Sequence, residues 1–226
     1  MRPFLALAGL IVLVFLILPY AVTSERAMAS ETDLHQAAVA NNAARVETLL
    51  KNGARVDARD TAGRTALLVA THADEVDAAR LLIAAGADVN ARDNIEDTPY
   101  LYAAAEGRLE ILRMTLKAGA DLKSVNRYGG IGLIPAAHHG HPDIVRELLK
   151  TDIDIDHVNR LGWTALLETI ILSDGGPTHT EILKLLVDAG ADVNLADREG
   201  VTPLAHAEQC GYSEMAQILK KAGARN

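Results

Sequence analysis

Residues 86–107, GADVNARDNIEDTPYLYAAAEG, gather in one place the signals that recur along the chain. Gly86 follows an apolar run and supplies the left-handed backbone on which helices end. Thr98 suits a helix N-cap, and Pro99 suits the first helical position, where a missing N–H costs nothing. Ala103 and Ala104 are small enough to let a neighbouring helix come close, and Glu106-Gly107-Arg108 is a turn. The stretch reads as the end of one helix, a turn-rich connection, and a short helix that stops at a second turn.

The same signals repeat on either side. The glycine marker returns at Gly53, Gly86, Gly119, Gly190 and Gly223, with Asp152 expected to take the left-handed position in the fourth copy; the spacings are 33, 33, 33, 38 and 33 residues. A second marker keeps that phase at Thr32, Thr65, Thr98, Ile131, Thr164 and Thr202. Between them lies a second helix per unit, with apolar residues at helical spacing such as Ile111, Leu112 and Leu116 or Ile144, Val145, Leu148 and Leu149. Unit four breaks the pattern: Ile131-Gly132 replaces Thr-Pro, and Pro135 falls inside the first helix, where it is expected to loosen it. Unit five carries the insertion Ser173-Asp174-Gly175-Gly176-Pro177 between its helices, read as an enlarged loop.

Threonine caps, alanine pairs, the Gly140-His141 step and the Gly-Ala-Asp-Val-Asn runs at 86–90 and 190–194 together resemble the ankyrin-repeat family, over residues 31–226. The resemblance implies an all-α ankyrin-repeat solenoid of six helix-turn-helix repeats with short β-hairpin connections, at about 31-60, 61-93, 94-126, 127-159, 160-197 and 198-226. It also implies a non-catalytic scaffold that binds a partner protein through its concave hairpin/helix face. His35 and His141 match structural histidines of that family.

Composition fits closely packed helices. Hydrophobic residues make up 49% of the chain, which excludes a disordered class, while aromatics are only 4% and small aliphatics dominate. The net charge is -8; without residues 1–29, which hold Arg2, Arg26 and Glu25, it becomes -9, and an acidic body argues against a phosphate-backbone binder. Residues 1–29 read as an export signal: Arg2, an apolar run from Phe4 to Leu18, and the small-x-small step Ala27-Met28-Ala29. The expected address is periplasmic or secreted, with the repeats occupying residues 30–226 as a monomer. The alternative is an uncleaved inner-membrane anchor facing the periplasm, since the apolar stretch extends to Val22. The lone Cys210 permits no internal disulfide.

No phosphate loop, nucleophile elbow or paired-cysteine pattern is present, so neither a catalytic residue nor a cofactor or metal is expected. Gly129-Gly130-Ile131-Gly132 falls on a hairpin turn and helix cap. The alternative reading is a metal-binding or enzymatic protein using His138, His139 and His141. The hairpin and inner-helix offsets, where a solenoid is free to vary, give the expected partner contacts: Arg59, Arg64, Arg92, Ile95, Arg127, Tyr128, His138, His139, Arg160, Leu161, Trp163 and Arg198. Tyr128 and Trp163, ringed by arginines, carry the composition of an interface hot spot.

Overall fold

The computed structural model describes residues 31–226; the expected export segment, residues 1–29, lies outside the described residues. Among the described residues twelve helices form six antiparallel pairs. They are α1 (described over residues 31–39), α2 (Ala43–Lys51), α3 (Ala66–Ala73), α4 (Val76–Ala84), α5 (Pro99–Ala105), α6 (Leu109–Lys117), α7 (Leu133–His138), α8 (Pro142–Leu148), α9 (Ala165–Ile171), α10 (Pro177–Asp188), α11 (Pro203–Gln209) and α12 (Ser213–Lys221). Odd-numbered inner helices stack on one another, as do even-numbered outer ones. No strand occurs among the described residues; the connections are hairpin turns.

Each inner helix starts where its cap dictates. The hydroxyls of Thr65, Thr98, Thr164 and Thr202 accept the backbone N–H three residues on, at 3.1–3.2 Å. Two residues after each marker stand Leu34, Leu67, Tyr100, Leu133, Leu166 and Leu204, all at most 3% exposed. This single apolar row runs through all six units. A matching row of Leu49, Leu82, Thr115, Leu148, Leu186 and Leu219 runs along the outer helices, and the hydroxyl of Thr115 donates to Leu112 O at 2.8 Å, so its burial leaves no orphan. Ala37, Ala38, Ala70, Ala103, Ala104, Ala136, Ala137 and Ala207 are buried where neighbouring units meet.

Two local expectations are corrected. Asp152 does not adopt the left-handed conformation of its glycine counterparts. Helix α8 instead ends through Thr151, whose N–H and hydroxyl both donate to Leu148 O, at 3.0 and 2.6 Å, which avoids the roughly 1–2 kcal/mol that a side chain incurs in that region. Pro135 does not loosen a helix interior, because α7 begins one residue later than its counterparts relative to the marker. That places Pro135 third in the helix, in the first turn, where the N–H it lacks has no obligatory intrahelical acceptor. The insertion at 173–177 packs on the last unit: Tyr212 Oη donates to Ser173 O at 2.7 Å.

The Ile131-Gly132 break has a packing cause. Tyr100 fills a leucine position in the apolar row and is fully buried, and a Cβ at residue 132 would lie 2.6 Å from its Oη. The tyrosine therefore requires glycine in the next unit. Gly132→Ala is expected to destabilise the chain by about 1–3 kcal/mol in denaturant unfolding, and Tyr100→Leu to recover most of that loss in the double variant. A full loss in both variants would show that Tyr100 is not the obstacle.

Candidate functional site

Each hairpin is built round one side chain. Asp60, Asp93, Asn126, Asn159 and Asp197 each accept at Oδ1 the backbone N–H groups two and four residues on, at 2.9–3.1 Å. Their own N–H groups donate across the turn to the residue before the helix cap at 2.9–3.1 Å, as in Asp60 to Arg64 O. The second terminal atom of that side chain remains available to the inner helix that follows. In the last unit Asp197 Oδ2 meets His206 Nε2 at 2.7 Å; in the fifth, Asn159 Nδ2 donates to Glu168 Oε1 at 2.7 Å. Since Asn159 Oδ1 is already engaged by two N–H groups, its nitrogen must be the atom facing Glu168.

In units three and four the corresponding helix residues are Tyr102 and Pro135, and no such tie forms. There the hairpins and inner helices bound a cavity of about 530 Å³. Its wall includes Tyr102, Tyr128, Ile95, Ile134, Leu161 and Leu172, with the carboxylates of Asp97 and Glu168. Ile95, Tyr128 and Leu161 occupy the same offset in three consecutive hairpin tips, each about half exposed. Glu96, beside Ile95, holds a left-handed φ of 70° where the other hairpins have glycine.

Glu168 is the unusual group. Its side chain is 7% exposed, and burial pushes its pKa from 4.5 up to about 7, opposed by the Asn159 hydrogen bond. His138 Nδ1 stands 3.7 Å from Glu168 Oε2. The imidazole is pushed below its ordinary value, first by burial and then by His139 and His179. Burial likewise raises Asp97, with Asp93 adding to it and Arg127 opposing. The Asp97 carboxylate accepts no hydrogen bond among the described residues. His72 stacks on Tyr102 with centroids 3.7 Å apart.

Of the expected contacts, Ile95, Arg127, Tyr128, His138, His139 and Leu161 line this cavity. The remaining arginines are tied into the stack. Arg59 donates to Arg92 O, Arg92 to Val125 O at 2.9 Å, and Arg160 to Arg127 O at 2.8 Å, each stapling one connection to another. Arg64 pairs with Asp60 in its own hairpin, and Arg198 lies over Gly162. Trp163 is half-buried in the hairpin of the fifth unit and is not part of the cavity wall. The three clustered histidines keep their rings close, with centroids 4.8 Å apart for His138 and His139 and 6.2 Å for His139 and His141, but take different partners: His138 faces Glu168, His139 Nδ1 engages Ala105 O at 2.6 Å, and His141 packs against Gly107. Among the described residues no group of three or more His, Cys, Asp or Glu has a metal-binding arrangement. Sequence reasoning missed Asp97, Tyr102 and Glu168; the signal was a glutamate where the other inner helices carry glutamine, valine, tyrosine, proline or histidine.

These features define a helix-pair solenoid with a groove between hairpin tips and inner helices. The sequence matches the family described as "Ankyrin repeats (3 copies)" over residues 34–126, 100–173 and 133–226, and the chain belongs to the ankyrin-repeat family. It is similar to the crystal structure of an ankyrin repeat domain from Acinetobacter baumannii AYE, with TM-score 0.83, 55% identity, and coverage of 85% of this chain and 98% of that one. The ankyrin repeat domain of Bcl-3, a member of the IkappaB protein family, superposes with TM-score 0.77 at 26% identity over 85% of this chain and 86% of that domain. Among curated relatives, the putative ankyrin repeat protein YahD of Escherichia coli K12 is 48% identical over 62 residues, 27% of this chain and 31% of that protein. Protein phosphatase 1 regulatory subunit 12A of Mus musculus is 51% identical over 41 residues, 18% of this chain and 4% of that protein. The chain thus matches about a third or less of the curated relatives' length. Ankyrin repeats are generally protein-interaction modules, and proteins built from them are typically non-catalytic scaffolds.

The Glu168 shift carries a sign. A carboxyl whose folded pKa is raised is fully compatible with the fold below about pH 4.5, and its ionisation removes stability as pH rises toward about 7. Glu168→Gln is therefore expected to gain on the native chain between pH 5 and 7, by up to roughly 3 kcal/mol, in unfolding curves measured across that range. A constant difference across the range would mean that Glu168 ionises freely.

Proposed function

We propose that this chain is a non-catalytic scaffold that docks one partner protein in the groove formed by the hairpin tips and inner helices of units three to five. The observation that carries the reading is the row of exposed apolar tips, Ile95, Tyr128 and Leu161, bordering a cavity whose wall also carries the buried Glu168 and the half-buried Asp97. A surface kept only for solubility has no reason to line up large apolar side chains in three successive units. Arg127, whose guanidinium lies 5.0 Å from the Tyr128 ring centroid, adds the aromatic and arginine pairing common at hot spots. Trp163, in the next hairpin, extends the same contact face.

Residues 1–29 deliver the repeat domain across the membrane in this proposal, leaving it periplasmic or tethered to the outer side of the inner membrane. Among the described residues no helix is long and apolar enough to cross a membrane, so any span must come from elsewhere. The repeat domain, residues 30–226, acts as a monomer.

The face is tested by capture: Tyr128→Ala with Leu161→Ala is expected to weaken partner binding by about 2 kcal/mol or more while shifting unfolding by less than about 0.5 kcal/mol. Trp163→Ala separates contact from packing, because a loss of about 3–5 kcal/mol in folding with unchanged affinity would assign that residue to the core. A reporter active only outside the cytoplasm, fused after residue 226, is expected to be active; activity confined to the cytoplasm would remove the export proposal.

A further inference from the structure

The cavity wall holds one buried acid whose second oxygen specifies what covers it, and the inference rests on the reading of the groove as a protein-docking face. The Glu168 side chain is 7% exposed, and its two oxygens differ. Oε1 accepts from Asn159 Nδ2 at 2.7 Å. Oε2 faces the cavity and accepts no hydrogen bond among the described residues, since His138 Nδ1 at 3.7 Å is beyond hydrogen-bond reach. With Oε1 engaged as an acceptor, a proton taken up by this carboxyl sits on Oε2, and the acid becomes a donor aimed into the cavity.

A second donor stands in the neighbouring hairpin. Asn126 lines the same cavity, and its Oδ1 accepts from Tyr128 N and Gly130 N at 2.9 and 3.0 Å, so its Nδ2 points away from the turn. The matching inner-helix residue is Pro135, which offers no side-chain acceptor, and Nδ2 has no acceptor among the described residues. Two donors in adjacent units need two acceptors, and these do not have to converge. Carbonyls inside a helix are already engaged, whereas those of an extended segment are free.

The charged groups near Glu168 leave its protonation to the occupant. On α7 stands His138, held below its ordinary value by burial, then by His139 and His179. From α10, His179 Nε2 engages His138 O at 2.9 Å, and its Nδ1 lies 3.9 Å from Asp174. On α11, His206 is paired with Asp197 at 2.7 Å. Arg127, the one arginine or lysine on the wall, lies against the Tyr128 ring.

We propose that the groove docks an extended, uncharged segment of the partner protein, whose main-chain carbonyls accept from Asn126 Nδ2 and from a protonated Glu168 while its apolar side chains cover Tyr128 and Leu161. The proton comes from solvent, so docking is linked to pH. Below about pH 7 the donor is already present and affinity is level; above it docking takes up a proton, and affinity falls by up to about tenfold per pH unit. A cationic side chain at Oε2 would hold Glu168 ionised and reverse that sign. The wall contributed by units four and five favours the uncharged segment, because Ile134, Pro135, Leu161 and Leu172 are apolar and Glu168 is the one carboxylate among them.

The test is a random-peptide display selection at about pH 6.5 on the immobilised full chain, followed by titration of the enriched peptides, made with acetylated and amidated ends, up to about pH 8.5. His138, held below 6.5, stays neutral over that range. The expected peptides have no invariant charged position and lose about tenfold in affinity over the last pH unit. Glu168→Gln, whose Nε2 donates at any pH, should keep the low-pH affinity throughout. Asn126→Asp, which retains the turn-forming oxygen of Asp60 and Asp93 but not the donor, should weaken binding at least about fivefold. Unfolding curves confirm that each variant is folded. A flat profile, a fall that survives Glu168→Gln, or an affinity that rises with pH on an invariant arginine or lysine would overturn the inference; if such peptides are still lost with Tyr128→Ala/Leu161→Ala, the docking face stands. Peptides indifferent to all of these substitutions overturn the face as well. A selection that enriches nothing counts against recognition of an extended segment.

Discussion

One hydrogen-bonding device holds the architecture together: the side-chain oxygen that each hairpin's aspartate or asparagine offers to two backbone N–H groups. Helices of six to twelve residues are too short to persist alone in water, so every unit depends on being set accurately against the next. The connections have no strand pairing to set them. With its oxygen engaged twice, the hairpin fixes the position of the threonine cap that follows, and the cap fixes where the inner helix begins. Only then do Leu34, Leu67, Tyr100, Leu133, Leu166 and Leu204 fall in one row. The arginines at the hairpins extend the same control from unit to unit, because their guanidinium groups reach main-chain carbonyls of the adjoining connection. A solenoid is stable as the sum of such neighbour terms, and each depends on register.

The groove chemistry follows from what the same side chain does with its remaining atom. Where the next inner helix supplies a matching group, as His206 and Glu168 do, the hairpin is tied to it and that part of the groove closes. Where it supplies tyrosine or proline the tie is missing, and the cavity opens at units three and four. Site and scaffold are thus alternatives drawn from one pair of positions. This also accounts for the setting of Glu168: it terminates the tied region on one side and faces the open region on the other, through an oxygen that the fold leaves without a strong donor.

Much of this was legible in the sequence, because repetition turns each signal into several observations. Threonine caps, terminating glycines and alanine contacts recur in phase, so the number of units and their helices could be read directly. The errors lie where a residue's role depends on its neighbours in space. Asp152 was assigned its conformation by analogy with glycines, but Thr151 offered a less costly ending. Pro135 and Ile131-Gly132 looked like a disturbed centre, yet Gly132 answers to Tyr100, thirty-two positions earlier in sequence and adjacent in the stack. The arginines stood out as a ladder of charge, and what the sequence could not convey was that several point inward to backbone carbonyls. Asp97 and Glu168 escaped notice because desolvation, which makes them unusual, is a property of the assembled groove.

Departures from the repeat pattern therefore differ in kind. Tyr100 and Gly132 break it together, and each explains the other by volume. Pro135 breaks it at a position in the first helical turn where the missing N–H is no loss. Glu168 has no such compensation. Its Asn159 hydrogen bond opposes the burial that raises its pKa to about 7, but does not cancel it, so ionisation near neutral pH works against folding. The equivalent residue in the second unit is Val69, buried without difficulty, which shows that the architecture does not need an acid there. The tie of Glu168 to Asn159 serves the hairpin, and the other oxygen, with His138 Nδ1 at 3.7 Å, is the one it presents to the cavity. Packing does not explain this irregularity, and for that reason it directs attention to the groove more forcefully than the more visible aromatic and arginine residues at the rim.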